Sequence, residues 1–398
     1  MRRYFGFWVM AIIASAFLAS GPAAFAKDEE SFVPKPIGGE VKFRVDKTNV
    51  EEHKDKLTEG LIKVIKEWDL TINVYETVHD YKFPKEYLDA TEKYKGTARV
   101  NSKGGLENYT AGLPFPEPRT GDEALYNYGY KYSGDDFTYS YDARVFSSTG
   151  RERKLSGSYT RLGYQGRVIL DPKPELPNPN QLELKELSAF TYPEDVAGMV
   201  LLTARYKSPS KGDDGWIYIP TIRRVRRISV AQRGDSSGGT DFTWDDYRGF
   251  SGKVSDYNWK MIGKKELLMP YHSPTTNPRS KGKIFNPDDC RYELRPVWVV
   301  EGTSKDKDYV YRKRRVYFDA DSWTILSTES WDRRGALWKM MLIAYGVDKK
   351  GYNMFTSTMI MHDLIGKTTT QVVNFKTYLN LGLKESVFTE SSLRTTGR

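Results

Sequence analysis

The chain has 398 residues, of which 14% are aromatic, 33 are glycine and 19 are proline, a composition that favours short strands and many turns. Lysine and arginine outnumber aspartate and glutamate by 61 to 52, so the formal net charge is +9. The single cysteine, Cys290, excludes an internal disulfide framework. We expect it to be a buried thiol, with an intermolecular bridge as the alternative.

The N-terminus has the pattern of an export signal. A basic start at residues 2–3 precedes an apolar run at residues 4–18, and residues 24–26 form an A-x-A cleavage site. The alternative is an uncleaved membrane anchor, but Gly21-Pro22 breaks the apolar run. We therefore predict a signal peptide of residues 1–26 and one mature domain of residues 27–398.

Export argues against nucleic acid as a partner, although the chain is basic. Acidic residues are interspersed along the sequence except at two arginine clusters, residues 223–227 and 312–315. An anionic lipid head group or an acidic membrane surface fits such clusters better. We expect peripheral membrane contact and no binding to nucleic acid.

Helices are predicted near the start of the mature chain. Asn49 to Glu52 has capping-box spacing and apolar residues follow at helical intervals, so we predict one helix over residues 49–68. Residues 71–75 form a predicted strand, and residues 86–95 a second helix. The proline-rich residues 111–118 are predicted to be a fixed loop.

Residues 125–170 alternate in polarity with a period of two, which predicts antiparallel strands with one face towards a core. The alternating aromatic residues are Tyr126, Tyr128, Tyr130, Tyr132, Phe137, Tyr139 and Tyr141. Residues 159–169 are predicted to continue these strands. A stiff proline-rich loop at residues 171–180 and a strand at residues 195–206 follow.

Residues 213–254 combine a basic strand with an aromatic turn. A strand at residues 216–219 ends at Pro220, and a strand with four arginines follows. On that strand Arg223 and Arg227 share one face, while Arg224 and Arg226 share the other. Further on, Thr243 and Asp246 have capping-box spacing, and aromatic residues recur every third position. A short helical turn is predicted there.

We predict that ligand is bound by residues of this stretch, because guanidinium groups clamp phosphate or carboxylate and aromatic side chains line apolar cavities. The candidates are Trp216, Tyr218, Arg223, Arg224, Arg226, Arg227, Trp244 and Tyr247. The alternative is an edge strand whose charges discourage aggregation and pair with Asp213, Asp214 or Asp241. In that alternative the aromatic side chains belong to the core. Both interpretations remain open at this stage.

The last third of the chain is predicted to be a series of strands. One strand is expected at residues 259–268, followed by a long irregular segment at residues 269–289, which is either a binding loop or a disordered surface loop. Beyond it, hairpins are expected from strands at residues 297–300, 309–318, 323–330, 336–345, 354–362 and 369–378.

No catalytic or metal-binding pattern is present in the sequence. The four histidines lie far apart without metal-ligand spacing: His53, His79, His272 and His362. We expect His53 and His272 at the surface. The adjacent carboxylates Asp245-Asp246 and Asp288-Asp289 are expected to be solvated caps or turns. The sequence therefore predicts no enzyme, no cofactor and no bound metal.

Several motifs resemble the LolA/LolB-like superfamily of periplasmic lipoprotein and lipid carriers. They are Trp216-x-Tyr218-x-Pro220 with the following arginines, the segment Thr240 to Asp246, and the hairpin motifs at residues 316–323 and 331–338. Residues 112–116, Asn127 and the ending at residues 388–394 resemble, more narrowly, an uncharacterised exported family within that superfamily.

This resemblance implies a mainly β fold, an incomplete antiparallel β-barrel whose concave side is plugged by short helices. It implies a carrier or chaperone in the periplasm of a Gram-negative bacterium, with outer-membrane association. Its cargo would be a lipid, a lipoprotein acyl group or another hydrophobic molecule, and an RND-type exporter is an implied partner. The alternatives are an envelope-associated hydrolase and a protein-binding scaffold at the outer membrane. The chain is about twice as long as the true lipoprotein carriers, which leaves the cargo open.

Overall fold

The computed structural model describes residues 32, 37–229, 233–272 and 290–397. The predicted signal peptide and residues 273–289 of the predicted irregular segment lie outside this range, as does the pair Asp288-Asp289. The helices are α1 (Glu59–Trp68), α2 (Lys85–Tyr94), α3 (Gly121–Tyr130) and α4 (Glu390–Thr396). Short 3-10 helices span Val50–Lys56, Pro220–Ile222, Trp244–Gly249, Val254–Asp256 and Glu385–Val387. Among the described helices, none has both the length and the apolar character needed to cross a membrane.

The strands of the first half are β1 (Phe43–Val45), β2 (Ile72–Val74), β3 (Arg99–Val100), β4 (Leu106–Glu107), β5 (Asp136–Phe146), β6 (Glu152–Gly163), β7 (Leu182–Tyr192) and β8 (Val200–Tyr206). Those of the second half are β9 (Asp214–Ile219), β10 (Arg224–Ile228), β11 (Tyr257–Pro270), β12 (Arg291–Ser304), β13 (Lys313–Asp319), β14 (Ile325–Trp331), β15 (Leu337–Val347), β16 (Met354–Asp363) and β17 (Thr368–Leu379). All except β3 and β4, which form a separate hairpin, belong to one sheet.

The sheet consists of two antiparallel meanders joined by one long-range pairing. Strands β11 to β17 are consecutive neighbours, and so are β5 to β10. Strand β17 pairs with β5, for example Thr370 with Val145, and this pairing makes the meanders one sheet. Strands β1 and β2 attach to the start of β12, where β2 runs parallel to it. This large open, curved sheet confirms the predicted mainly β, half-barrel fold.

Alternation of side chains gives the sheet two covered faces. On β15, Met341 belongs to the largest apolar cluster, whereas its neighbour Met340 packs against α1 on the opposite side. The face that carries Met341 is termed the inner face. It is covered by α3 and by residues 233–256, which are termed the covering segment. The outer face is covered by α1 and, at the other end, by α4, where Leu393 packs near Leu202.

Residues 121–130 form helix α3, so the strand predicted from the alternating tyrosines is wrong there. A capping box starts the helix: Glu123 N donates to Thr120 Oγ1 at 3.2 Å, and Thr120 N donates to the Glu123 carboxylate at 3.3 Å. The helix then buries Ala124 and Leu125 in the inner-face cluster. A local cap and core burial together outweigh the period-two pattern.

Other boundaries also differ from the sequence prediction. The single helix predicted over residues 49–68 is in fact two helices, a 3-10 helix and α1. The side chain of Asn49 does not cap the first helix, because its Oδ1 accepts a hydrogen bond from Asp46 N (2.9 Å). The cap of α1 is Thr58, whose Oγ1 accepts from Leu61 N (3.2 Å). The strand predicted to reach residue 169 ends at Gly163, and the strand predicted from residue 195 begins at Val200. The predicted second helix, the proline-rich loops and the C-terminal hairpins are confirmed.

Candidate ligand-binding site

The eight residues predicted to bind ligand are divided between the two faces of the sheet. Trp216 and Tyr218 lie on the outer face of β9, where Tyr218 is buried in the cluster that includes α4. Trp244 and Tyr247 lie in the covering segment on the inner face, next to Leu201 of β8. The two aromatic pairs therefore do not form one site.

The four predicted arginines, termed the edge arginines, lie on or beside β10, which is the last strand of the sheet. They are Arg223, Arg224, Arg226 and Arg227, and all four are exposed. Arg227 pairs with Asp214, as the edge-strand alternative predicts. Within the described residues no carboxylate oxygen lies within 4.0 Å of the other three guanidinium groups.

The covering segment is fixed to the sheet by the carboxylate of Asp246. Thr243 donates to it from its N (2.7 Å) and from its Oγ1 (2.8 Å), which confirms the predicted capping box. Tyr311 (2.9 Å) and Arg314 (2.7 Å) donate to the same carboxylate. Burial opposes ionisation of Asp246, but the charges of Arg314 and Lys339 outweigh it and hold the pKa below its usual value.

The expectation that Asp245 and Asp246 are solvated is wrong. Asp245 is 4% exposed and Asp246 is fully buried. Tyr309 donates to Asp245 at 2.7 Å, and Arg233 forms an ion pair with it. Both carboxylates are tolerated in the interior because cations of the fold compensate them. Arg314 is thereby turned inwards and is not available to a membrane surface.

A sharp turn at the end of the 3-10 helix directs the side chain of Arg248 towards the inner face. Arg248 has φ 51°, a left-handed conformation that costs a residue other than glycine about 1 kcal/mol. The next residue must be small, since a Cβ on Gly249 would lie 2.7 Å from Ile325. Tyr128 of α3 supports the turn by donating to Arg248 O at 2.7 Å. The guanidinium carbon lies 5.0 Å from the ring centre of Phe137.

Two further cations reach the same region, and with Arg248 we term them the interior cations. Lys131 directly follows α3 and is 6% exposed. Arg161 lies on β6, with its guanidinium carbon 5.9 Å from the ring centre of Phe137. Burial, and then the positive charges of Arg248 and Arg161, lower the pKa of Lys131 well below its usual value. In the described part of the chain, no carboxylate oxygen lies within 4.0 Å of any of the three.

Three adjoining cavities separate the inner face at β6–β8 from α3 and the covering segment. The central cavity, about 80 Å³, is lined by the interior cations. The large cavity, named as the largest of these three at about 250 Å³, shares Tyr128, Glu183 and Arg205 with it. The side cavity, about 120 Å³, shares Tyr159 and Tyr247 with the central one. The side cavity is further lined by Leu201, Ile228 and Trp244.

Two carboxylates of β7 also line the central cavity. Glu186 accepts a hydrogen bond from Tyr159. Burial raises the pKa of Glu183, although the charges of Arg205 and Arg161 oppose this. Arg205 is itself paired with Asp213 at 3.2 Å. Positive groups therefore outnumber negative ones around the central cavity.

A second buried charge cluster lies at the start of β12, and it includes His272. The Nδ1 of His272 is 2.7 Å from Glu293, and its Nε2 is 2.8 Å from Asp80. Arg291 also donates to Glu293, at 2.6 Å. The predicted surface position of His272 is wrong, because the chain enters this cluster directly after β11 and leaves the residue only 6% exposed. The predicted burial of Cys290 is confirmed at 2% exposure.

Comparisons with known proteins agree with this architecture. A family described as proteins of unknown function, DUF1329, matches residues 44–394. An uncharacterised protein of Pseudomonas aeruginosa is 31% identical over 335 residues, 79% of this chain and 71% of that protein. Two solved structures have TM-scores of 0.51: a domain from Vibrio parahaemolyticus described as an outer-membrane lipoprotein-sorting protein domain, and a DUF1329 family protein from Desulfovibrio piger. The Vibrio domain is 21% identical to this chain and the Desulfovibrio protein 17%. Each match covers 68% of this chain, together with 97% of the Vibrio chain and 95% of the Desulfovibrio chain.

Proposed function

Because the chain belongs to the DUF1329 family and has a LolA-like fold, we propose that it is a periplasmic carrier that holds a hydrophobic cargo on the inner face of its sheet. The observation that carries this proposal is the row of three adjoining cavities beneath the covering segment. A lipid, a lipoprotein acyl group or another apolar molecule is the proposed cargo. The likeness to a lipoprotein-sorting domain supports this class of cargo.

The lining of the cavities suits an acyl chain. Aromatic and aliphatic side chains line much of the large and side cavities, among them Leu125, Phe250 and Leu201. Each methylene removed from water there contributes about 0.8 kcal/mol. Ligand sites usually measure about 300 to 1,000 Å³, so the large cavity alone is small for a lipid. Uptake of a larger cargo therefore requires α3 or the covering segment to move.

Binding is favoured over hydrolysis by the polar groups of these cavities. Glu183 and Glu186 stand there among cations, and within the described residues no histidine lines any of the three. An enzyme would need a positioned acid and base beside a reacting bond. The proposal is accordingly a carrier without catalytic residues.

We further propose that the edge arginines contact an acidic acceptor, either an anionic membrane surface or an outer-membrane protein. They are exposed on an edge strand, and a cation near an anionic surface contributes about 1 kcal/mol. An RND-type exporter is proposed as a partner from the family resemblance alone. Co-purification of such an exporter after cross-linking in the periplasm is the measurement that tests it.

The carrier proposal is tested by analysing what the exported protein binds. The protein is purified from a Gram-negative periplasm, extracted with organic solvent and analysed by mass spectrometry. Ser188 lines the side cavity, so Ser188→Phe should fill it and reduce the retained lipid. Thr191→Phe, at an exposed position of the same strand, is the matched control and should retain lipid like the unmodified protein. A protein that stays empty after incubation with envelope lipids would overturn the proposal in favour of a scaffold.

A further inference from the structure

Two donors of the interior cations are buried and have no hydrogen-bond partner. They are the Nε of Arg161 and the Nε of Arg248. The ammonium group of Lys131 contacts an aromatic ring, 5.8 Å from the centre of Tyr128, but no carboxylate within ion-pair distance among the described residues. A buried donor without an acceptor and a buried charge without a counter-ion both destabilise a fold. Such groups are expected where a ligand completes them.

Three arginines elsewhere in the described residues show how the fold compensates a guanidinium group inside the protein. Arg314 pairs with Asp246 at 2.7 Å, and Arg295 pairs with Asp319 at 2.9 Å. Arg205, which borders the central cavity, pairs with Asp213. Arg167, which is 4% exposed, instead donates to the backbone oxygens of Gly163 and Pro172. The interior cations differ from these four arginines, because the Nε atoms of Arg161 and Arg248 have neither kind of acceptor.

The side chains around the central cavity carry more positive than negative groups. Its lining contains the three interior cations and Arg205, but only two carboxylates, Glu183 and Glu186. Asp213, the partner of Arg205, is shared with Arg233 and Lys253 and does not line this cavity, so cations outnumber carboxylates in the lining. Planar guanidinium groups are suited to bind the two oxygens of a carboxylate or phosphate. The cavity, at about 80 Å³, has room for such a group and opens onto the apolar lining of its neighbours.

We propose that the interior cations bind the carboxylate or phosphate head group of an amphiphilic cargo, whose chain occupies the large or the side cavity. This inference rests on the proposed carrier function and adds the chemical class of the cargo. The covering segment contributes Arg248 to the head-group site. Binding of the anionic head group therefore also holds the covering segment in place over the apolar part of the cargo.

The test compares three probes by isothermal titration calorimetry on the exported protein after removal of bound lipid. The probes are dodecanoate, dodecanol and inorganic phosphate, which separate the anion from the chain. Dodecanoate should bind the unmodified protein about ten- to a hundredfold more tightly than it binds Lys131→Met or Arg161→Gln. Dodecanol should bind all three proteins alike. Lys260→Met removes an exposed cation of β11 and is the matched control, with unchanged binding.

The possible results test the proposed head-group site separately from the proposed carrier function. Equal binding of dodecanoate and dodecanol, unaffected by the two cavity variants, overturns the head-group site and leaves the carrier. Phosphate that binds as tightly as dodecanoate and is lost in the variants keeps the anion site but assigns it to a free anion, against a lipid cargo. Failure of every probe overturns both proposals.

A direct measurement on the unmodified protein covers the case in which a variant does not fold. The carboxyl carbon of ¹³C-labelled dodecanoate is titrated by nuclear magnetic resonance in the bound state. Contact with three cations should keep the bound carboxylate ionised to a lower pH than free dodecanoate, since nearby positive charge favours the charged form. A bound carboxyl group that protonates at a higher pH than the free acid would overturn the site.

Discussion

The edge arginines and the interior cations are two basic groups of one molecule with opposite settings. The edge arginines lie almost next to each other in the sequence, yet β10 places them on both faces of an exposed strand. The interior cations come from the end of α3, from β6 and from a turn in the covering segment, yet they line one cavity of about 80 Å³. Proximity in the sequence is therefore a poor guide to which charges share a cavity, and the proposed head-group site depends on charges from three separate elements.

The largest expected effect concerns a buried cation that does have a partner. Asp246→Asn leaves Arg314 charged and fully buried without its carboxylate. Losing one partner of a buried pair destabilises a protein by about 3 to 5 kcal/mol, and we expect that loss in the free energy of unfolding measured with urea. Asp308→Asn, at an exposed ion pair, should change it by less than about 1 kcal/mol. If Asp246→Asn lowered the unfolding free energy no more than the control does, the pair of Asp246 with Arg314 would not stabilise the fold.

The next largest effect on the unfolding free energy is expected from His362, a buried side chain that has no charged partner among the described residues. Burial lowers the pKa of His362 to about 3, and its Nδ1 lies 3.0 Å from Thr369 Oγ1. Above pH 6.5 the imidazole is neutral in the folded and unfolded states and contributes nothing to the pH dependence. Below pH 6.5 only the unfolded chain takes up the proton, so the unfolding free energy falls by about 1.4 kcal/mol per pH unit.

The difference in unfolding free energy between pH 7 and pH 5 should therefore contain about 2 kcal/mol from His362. His362→Gln, which does not titrate, should show a pH dependence smaller by that amount in urea unfolding at the two pH values. His53→Gln, at a partly exposed position, is the control and should keep the full dependence. An unchanged dependence in His362→Gln would mean that the folded protein accommodates the imidazolium.

Substitution of an interior cation should raise the unfolding free energy, whereas Asp246→Asn should lower it. Lys131→Met removes a buried amine that has no carboxylate partner among the described residues, and it keeps most of the volume of the side chain. Replacing uncompensated buried charge with an apolar group is expected to raise the unfolding free energy by about 1 to 2 kcal/mol in the lipid-free protein. Lys260→Met should leave it unchanged. A clear loss of stability in Lys131→Met would indicate a structural partner and weaken the head-group site.

Much of the fold could be predicted from the sequence because its signals are local. The alternation around Tyr139, the C-terminal hairpins and the capping box of Thr243 and Asp246 each depend on residues a few positions apart. The same locality explains the error at residues 121–130. Four tyrosines at alternate positions imitate a strand, whereas the capping box of Thr120 and Glu123 starts a helix.

The position of the candidate site could be predicted only in part. Trp244 and Tyr247 do lie on the inner face beside the cavities, but Trp216 and Tyr218 pack on the outer face. Lys131, Arg161 and Arg248 look like ordinary surface charges in the sequence, since nothing local shows that α3, β6 and the covering segment bring them to one cavity. The one local signal is the glycine after Arg248, which permits the sharp turn there.

The smallest expected effect on stability belongs to the edge arginines. Changing all four of them to alanine should alter the unfolding free energy by less than about 0.5 kcal/mol for each exposed substitution. Binding to vesicles that contain anionic phosphatidylglycerol should nevertheless fall, because each cation near an anionic surface contributes about 1 kcal/mol. The measurement is co-sedimentation at low and at physiological salt, since screening should reduce the difference between the two proteins.

Arg333→Ala, at an exposed turn far along the chain from β10, is the matched control and should keep vesicle binding. Neutral phosphatidylcholine vesicles should bind all of the proteins equally weakly. Unchanged binding of the fourfold variant to anionic vesicles would remove the proposed membrane contact. If that variant then self-associates at concentrations where the unmodified protein is monodisperse, the edge arginines act by preventing pairing of the exposed β10 strand with another chain. In that case the interior cations would be the one basic group of the comparison with a role in cargo binding.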